Sequence, residues 1–254
     1  MELLREGARS LGLTLNAERL AAFERYYQEL EAWNRRFNLT AITDYAEVQC
    51  RHFLDSLSCL LAFPRRAPDD AAASVVETVS PQLAPSPLCL DVGSGAGFPG
   101  IPLKIVVPDA RMTLLEATGK KAVFLAHMVE VLRLTDTTVL NTRAEEAGHD
   151  PHHRSKYDVV LARAVAPLAV LVEYCLPFCR VGGRVIAQKG DEIADEVEAA
   201  RGAIALLGGE LREIKTVEVP GIPEPRRLVV IAKVRETPSE YPRRPGVPAK
   251  RPLG

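Results

Sequence analysis

A short apolar run that leads into a glycine-rich turn constrains the fold of this chain more than any other feature. Leu88–Val92 has the character of a buried strand, and Gly93, Gly95 and Gly97 follow within five positions. Glycine accepts backbone conformations with positive φ, which permits a tight turn and a close approach of the backbone to a ligand. A strand, a glycine turn and a helical segment in this order predict a βα unit with a nucleoside-binding loop.

Downstream of this turn, short apolar runs alternate with longer amphipathic stretches. The stretches at residues 120–132 and 192–207 are predicted helices, and the runs are predicted strands at residues 88–92, 112–116, 138–140, 157–162 and 184–188. This alternation is typical of an open parallel sheet with helices on both faces. Two further runs, at 211–219 and 228–234, are joined by the proline-rich loop PGIPEPR, which is too short for a crossover helix, so an antiparallel pair is predicted.

The 254 residues divide into four predicted segments. Residues 1–63 are predicted to be helical, because apolar residues recur at helical spacing in two stretches, and Trp33 and Phe37 continue that stripe as predicted core residues. Prolines make residues 64–87 a predicted linker, since they prevent a long helix or a central strand. Residues 88–235 form the predicted ligand-binding domain, and residues 236–254 form a basic tail that is predicted to pack near the site.

Composition and charge exclude several classes of protein. Charged residues interrupt the first twenty positions, so no signal peptide or membrane span is expected and a cytoplasmic location is predicted. The five cysteines include no C-x-x-C pair, which argues against disulfides and a zinc site, and we predict no bound metal. The net charge of −1 is not typical of a nucleic-acid binder, although it allows a local basic patch. No oligomerisation motif is visible, so a monomer is predicted.

The residues around the glycine turn favour an adenosine ligand without phosphates. Asp91 ends the first predicted strand and can accept hydrogen bonds, and Glu116 ends the second, where a carboxylate suits a ribose diol. Phe98 occupies the position where a dinucleotide-binding loop keeps glycine or alanine so that the helix can approach the pyrophosphate. These features favour S-adenosylmethionine over NAD and disfavour an NAD-dependent oxidoreductase. A tight turn without a ligand is the alternative for the glycines.

Eight strings in order resemble one family, the bacterial small-subunit ribosomal RNA guanine-N7 methyltransferases, also known as glucose-inhibited division protein B. They cover nearly the whole chain and are AWNRRFNLTAIT (32–43), RHFLDSL (51–57), DVGSGAGFPGIPLKIVVP (91–108), LLEATGKKAVFL (114–125), TRAEE (142–146), YDVVLARAVAPL (157–168), QKG (188–190) and YPRRPGVPAKRPL (241–253). The main departures from the family are an apparent insertion at residues 69–87 and the spacer at residues 148–156.

The resemblance implies a Rossmann-like class I S-adenosylmethionine-dependent methyltransferase fold, α/β, with a seven-stranded sheet, an antiparallel C-terminal hairpin and a helical N-terminal extension. It also implies 16S ribosomal RNA or the small ribosomal subunit as the partner, with N7 of one guanine as the methyl acceptor. The positions that match the family's cofactor contacts are Gly93, Phe98, Glu116, Ala117, Thr118, Ala144, Glu145 and Arg163. With Asp91 and Gly95, which the glycine turn itself indicates, they are the predicted cofactor contacts.

The implied chemistry makes few demands on the protein. Guanine N7 carries a free lone pair, so its methylation requires placement of the base against the methyl group and no general base. Arg163, at the end of the fourth predicted strand, is predicted as the catalytic side chain nearest both cofactor and base. An ion pair between Arg163 and an acid such as Glu145 is the alternative.

Cations outside the nucleoside pocket are the predicted RNA contacts, and they are Lys120, Lys121, Lys189, Arg243, Arg244 and Lys250. For the two lysines at the predicted helix start, a solvated helix turn is an equal alternative. His52 and Asp55 are predicted to pack against the α/β domain, with RNA contact as the alternative. A non-catalytic RNA-binding assembly factor is the second candidate function, but it leaves the glycine loop, Glu116 and Arg163 without a role.

Overall fold

The computed structural model describes residues 1–64 and 86–253. The predicted linker at 64–87 therefore lies almost wholly outside the described residues. Within them the chain forms one seven-stranded sheet of order β3-β2-β1-β4-β5-β7-β6. The strands are β1 (Leu88–Val92), β2 (Arg111–Leu115), β3 (Thr137–Leu140), β4 (Tyr157–Arg163), β5 (Cys179–Lys189), β6 (Gly209–Val217) and β7 (Arg226–Lys233).

The sheet confirms the predicted topology. Strands β1 to β5 pair in parallel, and β7 lies antiparallel between β5 and β6. The order turns back on itself at β1 and β4, and this switch point is where an open α/β sheet binds its ligand, beyond the carboxyl ends of the strands. Strand β5 begins at Cys179, five residues earlier than predicted. This first part of the strand contains Gly182, with φ of 84°, and its register against β4 is irregular, as at a β-bulge.

Helices cover both faces of the sheet and form two hydrophobic cores. The helices α5 (Gly100–Val106) and α6 (Gly119–Val131) share one core with the N-terminal region. The short α7 (Ala144–Ala147) follows β3, and α8 (Leu168–Cys175) and α9 (Ala194–Leu206) cover the other face. The predicted helices at 120–132 and 192–207 are confirmed to within about two residues at each end.

The N-terminal region packs over the glycine turn. It contains α1 (Glu2–Ser10), α2 (Ala17–Phe37), α3 (Tyr45–Glu47), a π-helix (Val48–Leu54), α4 (Asp55–Ser58) and a 3₁₀ helix (Cys59–Ala62). The buried Tyr26 on α2 donates a hydrogen bond to the Ala96 carbonyl at 2.5 Å, and its ring stacks on Phe98.

Residues 52–63 are helical, as predicted, but they belong to the π-helix, α4 and the 3₁₀ helix and do not form one regular α-helix. A π-helix is an uncommon conformation that is often found at functional sites.

The tail ends in the short α10 (Val247–Lys250) and lies on the face that carries α8. Arg154 fastens the tail, because its guanidinium donates to the carbonyls of Thr237, Pro238 and Tyr241 at 2.7–3.0 Å. All five cysteines are free and buried. Among the described residues, no helix is long and apolar enough to cross a bilayer, and no cluster of three acidic, histidine or cysteine side chains could hold a metal ion.

Candidate functional site

The glycine turn tolerates no side chain at its first position. Gly93 has φ of +72°, and a Cβ built there would lie 2.9 Å from Cγ2 of Val165. The Gly93 amide donates to the Leu115 carbonyl at 2.8 Å, which holds the turn against the end of β2. The chain between β1 and α5 is therefore closely packed at Gly93.

The carboxylate of Glu116 connects the ends of β1 and β2. It accepts hydrogen bonds from the Gly95 amide at 2.9 Å and from the Thr118 amide at 2.7 Å, one on each oxygen. The Glu116 side chain is buried, with 6% of its residue surface exposed. A carboxylate oxygen can accept more than one hydrogen bond, so each oxygen retains capacity for a ligand hydroxyl.

A cavity of about 320 Å³ opens above this turn, at the carboxyl ends of β1 to β4, and we call it the cofactor cavity. Its lining includes six of the predicted cofactor contacts together with Lys121, which was predicted to bind RNA. The full lining is Val92, Gly93, Gly95, Leu115, Glu116, Ala117, Lys121, Thr142, Arg143, Ala144, Glu145, Ala164, Val165 and Tyr174. Tyr174 comes from α8, where no local sequence signal marks it.

Four predicted contacts, Asp91, Phe98, Thr118 and Arg163, do not line the cofactor cavity. Asp91 is fully buried beneath the turn, where its Oδ2 accepts a hydrogen bond from the Gly100 amide at 2.9 Å. Its Oδ1 is buried without a hydrogen-bond partner among the described residues. Burial raises the pKa of this carboxyl to about 7, although the Gly100 hydrogen bond partly opposes the shift. Asp91 thus supports the turn from below.

Phe98 and Arg163 face the N-terminal region. The Phe98 ring stacks on His52 with centroids 4.4 Å apart, and the Arg163 guanidinium lies 5.0 Å from its centroid. Arg163 forms an ion pair with Asp55 at 2.9 Å. The predicted alternative of an ion pair is therefore present, but the acid is Asp55, whereas Glu145, the suggested example, accepts a hydrogen bond from the Gly246 amide of the tail at 3.0 Å.

Arg163 belongs to a second cavity of about 300 Å³, which we call the arginine cavity. It is lined by Arg51, His52, Asp55, Arg163, Ala164, Gln188, Lys189, Gly190 and Arg226. The Asp55 carboxylate binds Arg163, and it also accepts hydrogen bonds from Arg226 at 2.8 Å and from Gln188 at 3.0 Å. The preference for packing of Asp55 and His52 was therefore right, whereas Arg226 and Gln188 were missed.

His52 lies in the arginine cavity as a neutral ring. Burial and the charge of Arg163 lower its pKa to about 3, and its Nε2 lies 2.8 Å from Oγ1 of Thr40. Because His52 is neutral, it does not repel the positive charge of the neighbouring Arg163.

A family profile and close relatives identify what kind of protein carries this site. The profile of the family described as rRNA small subunit methyltransferase G matches residues 19–227. This chain belongs to that family. A relative of that name from Roseiflexus sp. is 54% identical over 253 residues, covering 100% of both chains. Another from Pelotomaculum thermopropionicum is 47% identical and covers 99% of this chain and 98% of its own.

The likeness to solved structures is more distant. A SAM dependent methyltransferase from Aquifex aeolicus aligns with a TM-score of 0.41 and 15% identity, covering 57% of this chain and 81% of that one. Membership of the rRNA small subunit methyltransferase G family confirms the predicted enzyme class and its S-adenosylmethionine dependence.

The cofactor cavity fits the cofactor that the methyltransferase G family uses. A side chain at Gly93 would clash with Val165, so glycine is required at this position of the lining. Glu116 supplies acceptors for a ribose diol, and the remaining lining is largely apolar or backbone, as an uncharged adenosine requires.

The six cations predicted to contact RNA lie in different environments. Lys189 donates to the Ala166 carbonyl at 2.7 Å and pairs with Glu196. Arg243 binds the buried Glu173 with its Nε at 2.9 Å and its Nη2 at 2.6 Å. These two side chains are thus engaged within the protein. The remaining exposed cations are Lys120, Arg244 and Lys250.

Proposed function

We propose that this chain methylates N7 of one guanine in 16S ribosomal RNA with S-adenosylmethionine as the methyl donor. Family membership supports the ribosomal RNA substrate, and the observation that carries the proposal in the structure is the cofactor cavity at the switch point of the sheet, with Glu116 at its edge. The choice of guanine N7 rests on the family resemblance of the sequence. Such an enzyme works on ribosomes in the cytoplasm, and we propose that it acts as a monomer.

We propose that Gly93, Gly95 and Ala117 contact the cofactor through their backbone, and that Glu116 binds its ribose. Ala144 and Glu145 also line the cavity. Asp91 acts indirectly, since its carboxylate holds the turn and does not line the cavity. Phe98 and Thr118 also act indirectly, the first by stacking under Arg163 and the second by donating its amide to Glu116.

The bound cofactor supplies a methyl group on a positively charged sulfur. Transfer of this methyl group to the lone pair of N7 would leave an uncharged thioether and would move the positive charge to the base, without loss of a proton. The protein's contribution is therefore placement and electrostatics. Arg163 lies beside the boundary of the two cavities, where Asp55 and Phe98 hold its guanidinium, and we propose that it positions the base.

We propose that the exposed cations Lys120, Arg244 and Lys250 contact RNA phosphates. Lys120 and Lys121 occupy the first turn of α6, and that turn contains no acidic residue. Cations are disfavoured at a helix N-terminus. Their presence there is better explained by an anionic partner than by helix stability. Lys121 faces the cofactor cavity, so it would contact RNA only at the cavity mouth. Arg243 and Lys189 fix the tail and the loop after β4.

The test is methyl transfer to ribosomal RNA that lacks the modification. Small subunits and naked 16S RNA from a strain without this gene are incubated with the enzyme and labelled S-adenosylmethionine, and the label is mapped. We expect one labelled guanine and a product that is sensitive to cleavage at 7-methylguanine. A non-catalytic assembly factor would bind the subunit and leave it unlabelled, and a label on any other atom would contradict the N7 assignment.

A further inference from the structure

Among the described residues, the arginine cavity and the cofactor cavity share one lining residue. Ala164 lines both, with Arg163 on one side and Val165 on the other. Its φ of 53° lies in the left-handed region, where a residue other than glycine is strained. Strained backbone of this kind is retained where the surrounding structure holds it for function. A ligand in the arginine cavity would therefore lie against the same short segment as a ligand in the cofactor cavity.

Arg226 presents unused hydrogen-bond donors in this cavity. Its Nε donates to Oδ1 of Asp55 at 2.8 Å, which fixes the plane of the guanidinium. Its two terminal nitrogens have no hydrogen-bond partner among residues 1–64 and 86–253. They are also absent from the buried polar atoms that lack a partner, so a ligand in the cavity can reach them. An arginine held in this way offers a fork of two donors at little entropic cost, because its orientation is already set.

The charge balance of the cavity favours an electron-rich ligand edge. Asp55 is the one carboxylate among the described residues that line it, and both its oxygens already bind arginine. Arg163 and Arg226 share this one carboxylate, which leaves an excess of positive charge and of donors, while His52 stays neutral. The other cations of the lining, Arg51 and Lys189, pair with Glu47 and Glu196 outside the cavity. Guanine presents two acceptors, O6 and N7, on one edge, whereas adenine presents an amino donor in place of O6.

The size of the cavity points to a single base. A volume of about 300 Å³ is at the lower end of small-molecule sites and excludes a nucleic-acid helix. The major groove of an RNA duplex, where N7 lies, is too deep and narrow for side chains to enter. A base that is to be methylated at N7 must therefore leave the stack or lie in a single-stranded loop, and enter a pocket.

We infer that the arginine cavity receives the target guanine, and that the free fork of Arg226 recognises its O6 while N7 is left open toward Ala164 and the methyl group. This inference rests on the proposed function. It assigns Arg226 as the residue that selects guanine, and it gives Asp55 the task of holding the Arg226 and Arg163 side chains in the cavity. The residue nearest in sequence, Arg227, pairs with Asp191 outside the cavity and serves as a matched control.

The test measures kcat/KM with two RNA substrates for the wild type, Arg226→Ala, Arg226→Lys and Arg227→Ala. One RNA carries guanine at the mapped position, and the other carries 2-aminopurine, which keeps N7 and lacks O6. We expect the wild type and Arg227→Ala to methylate the guanine RNA about 5- to 150-fold better than the 2-aminopurine RNA. Arg226→Ala should methylate both RNAs equally slowly, and its affinity for S-adenosylmethionine should match that of the wild type.

Two outcomes separate this inference from the function on which it rests. Undiminished preference for guanine over 2-aminopurine in a folded Arg226→Ala enzyme would overturn the role of Arg226 while leaving the methyltransferase function intact. Absence of methylation by the wild type would overturn both. If Arg226→Ala does not fold, Arg226→Lys keeps a charge beside Asp55 but loses the fork, and it should likewise show a reduced preference. Wild-type preference in that variant would also overturn the inference.

Discussion

Replacement of Arg243 by alanine should destabilise the protein strongly, although the residue lies in a tail that the sequence predicts to bind RNA. Its guanidinium makes two close contacts with the carboxylate of Glu173, at 2.9 Å and 2.6 Å, and its backbone amide makes a third at 2.8 Å. The Glu173 side chain is fully buried, with 0% exposed. Without the guanidinium, the buried carboxylate would retain one backbone donor among the described residues, the amide of residue 243.

The expected loss follows from that geometry. Removal of one partner of a buried ion pair costs about 3–5 kcal/mol, because the other charge remains buried and uncompensated. For a chain of this length, 1 kcal/mol corresponds to roughly 2–4 °C in Tm, so the melting temperature should fall by roughly 6–20 °C. The neighbouring Arg244 is exposed and has no such partner among the described residues, so Arg244→Ala should change stability by less than about 0.5 kcal/mol.

Thermal melts of both variants test this expectation, together with amide hydrogen exchange in residues 236–253. If the tail detaches before the domain unfolds, the loss of Tm will be smaller and the tail amides will lose protection instead. The double variant with Glu173→Gln should be more stable than Arg243→Ala alone, since a buried amide costs less than a buried charge. A Tm within about 2 °C of the wild type together with unchanged protection of the tail would refute the assigned role of this ion pair.

Three further outcomes are expected. Gly93→Val should abolish binding of S-adenosylmethionine, because φ is +72° and Cβ would meet Val165 at 2.9 Å; unchanged affinity by calorimetry would contradict this. Glu116→Ala should weaken cofactor binding by about 1.5–3 kcal/mol through loss of charged hydrogen bonds, and affinity equal to that of the wild type would remove Glu116 from the site. The folded pKa of Asp91, about 7, lies above its unfolded value, so the folded state holds the extra proton. The unfolding free energy of the wild type should therefore fall relative to Asp91→Asn as the pH rises from about 4 to about 7, and a flat difference in denaturant titrations would exclude this titration.

The sequence alone determined the α/β architecture, the antiparallel hairpin and the turn that forms the cofactor cavity. Each depends on local information: the length and spacing of apolar runs, the short proline loop before β7, and glycines where positive φ is needed. Glu116 was found in the same way, because the end of β2 must lie beside the end of β1 in a parallel sheet. The family resemblance then extended the prediction to the cofactor and the substrate.

Only the tertiary structure decided the partners of the charged side chains. Arg226 meets Asp55 across 171 positions of the chain, and Arg243 meets Glu173 across 70. No local periodicity encodes such pairs, because they depend on which face of the sheet the N-terminal region and the tail cover. Arg163 illustrates the point: the sequence suggested Glu145 as a partner, but the packing of α4 against β4 and β5 places Asp55 within reach. The ion pair compensates two opposite charges that the fold removes from water together.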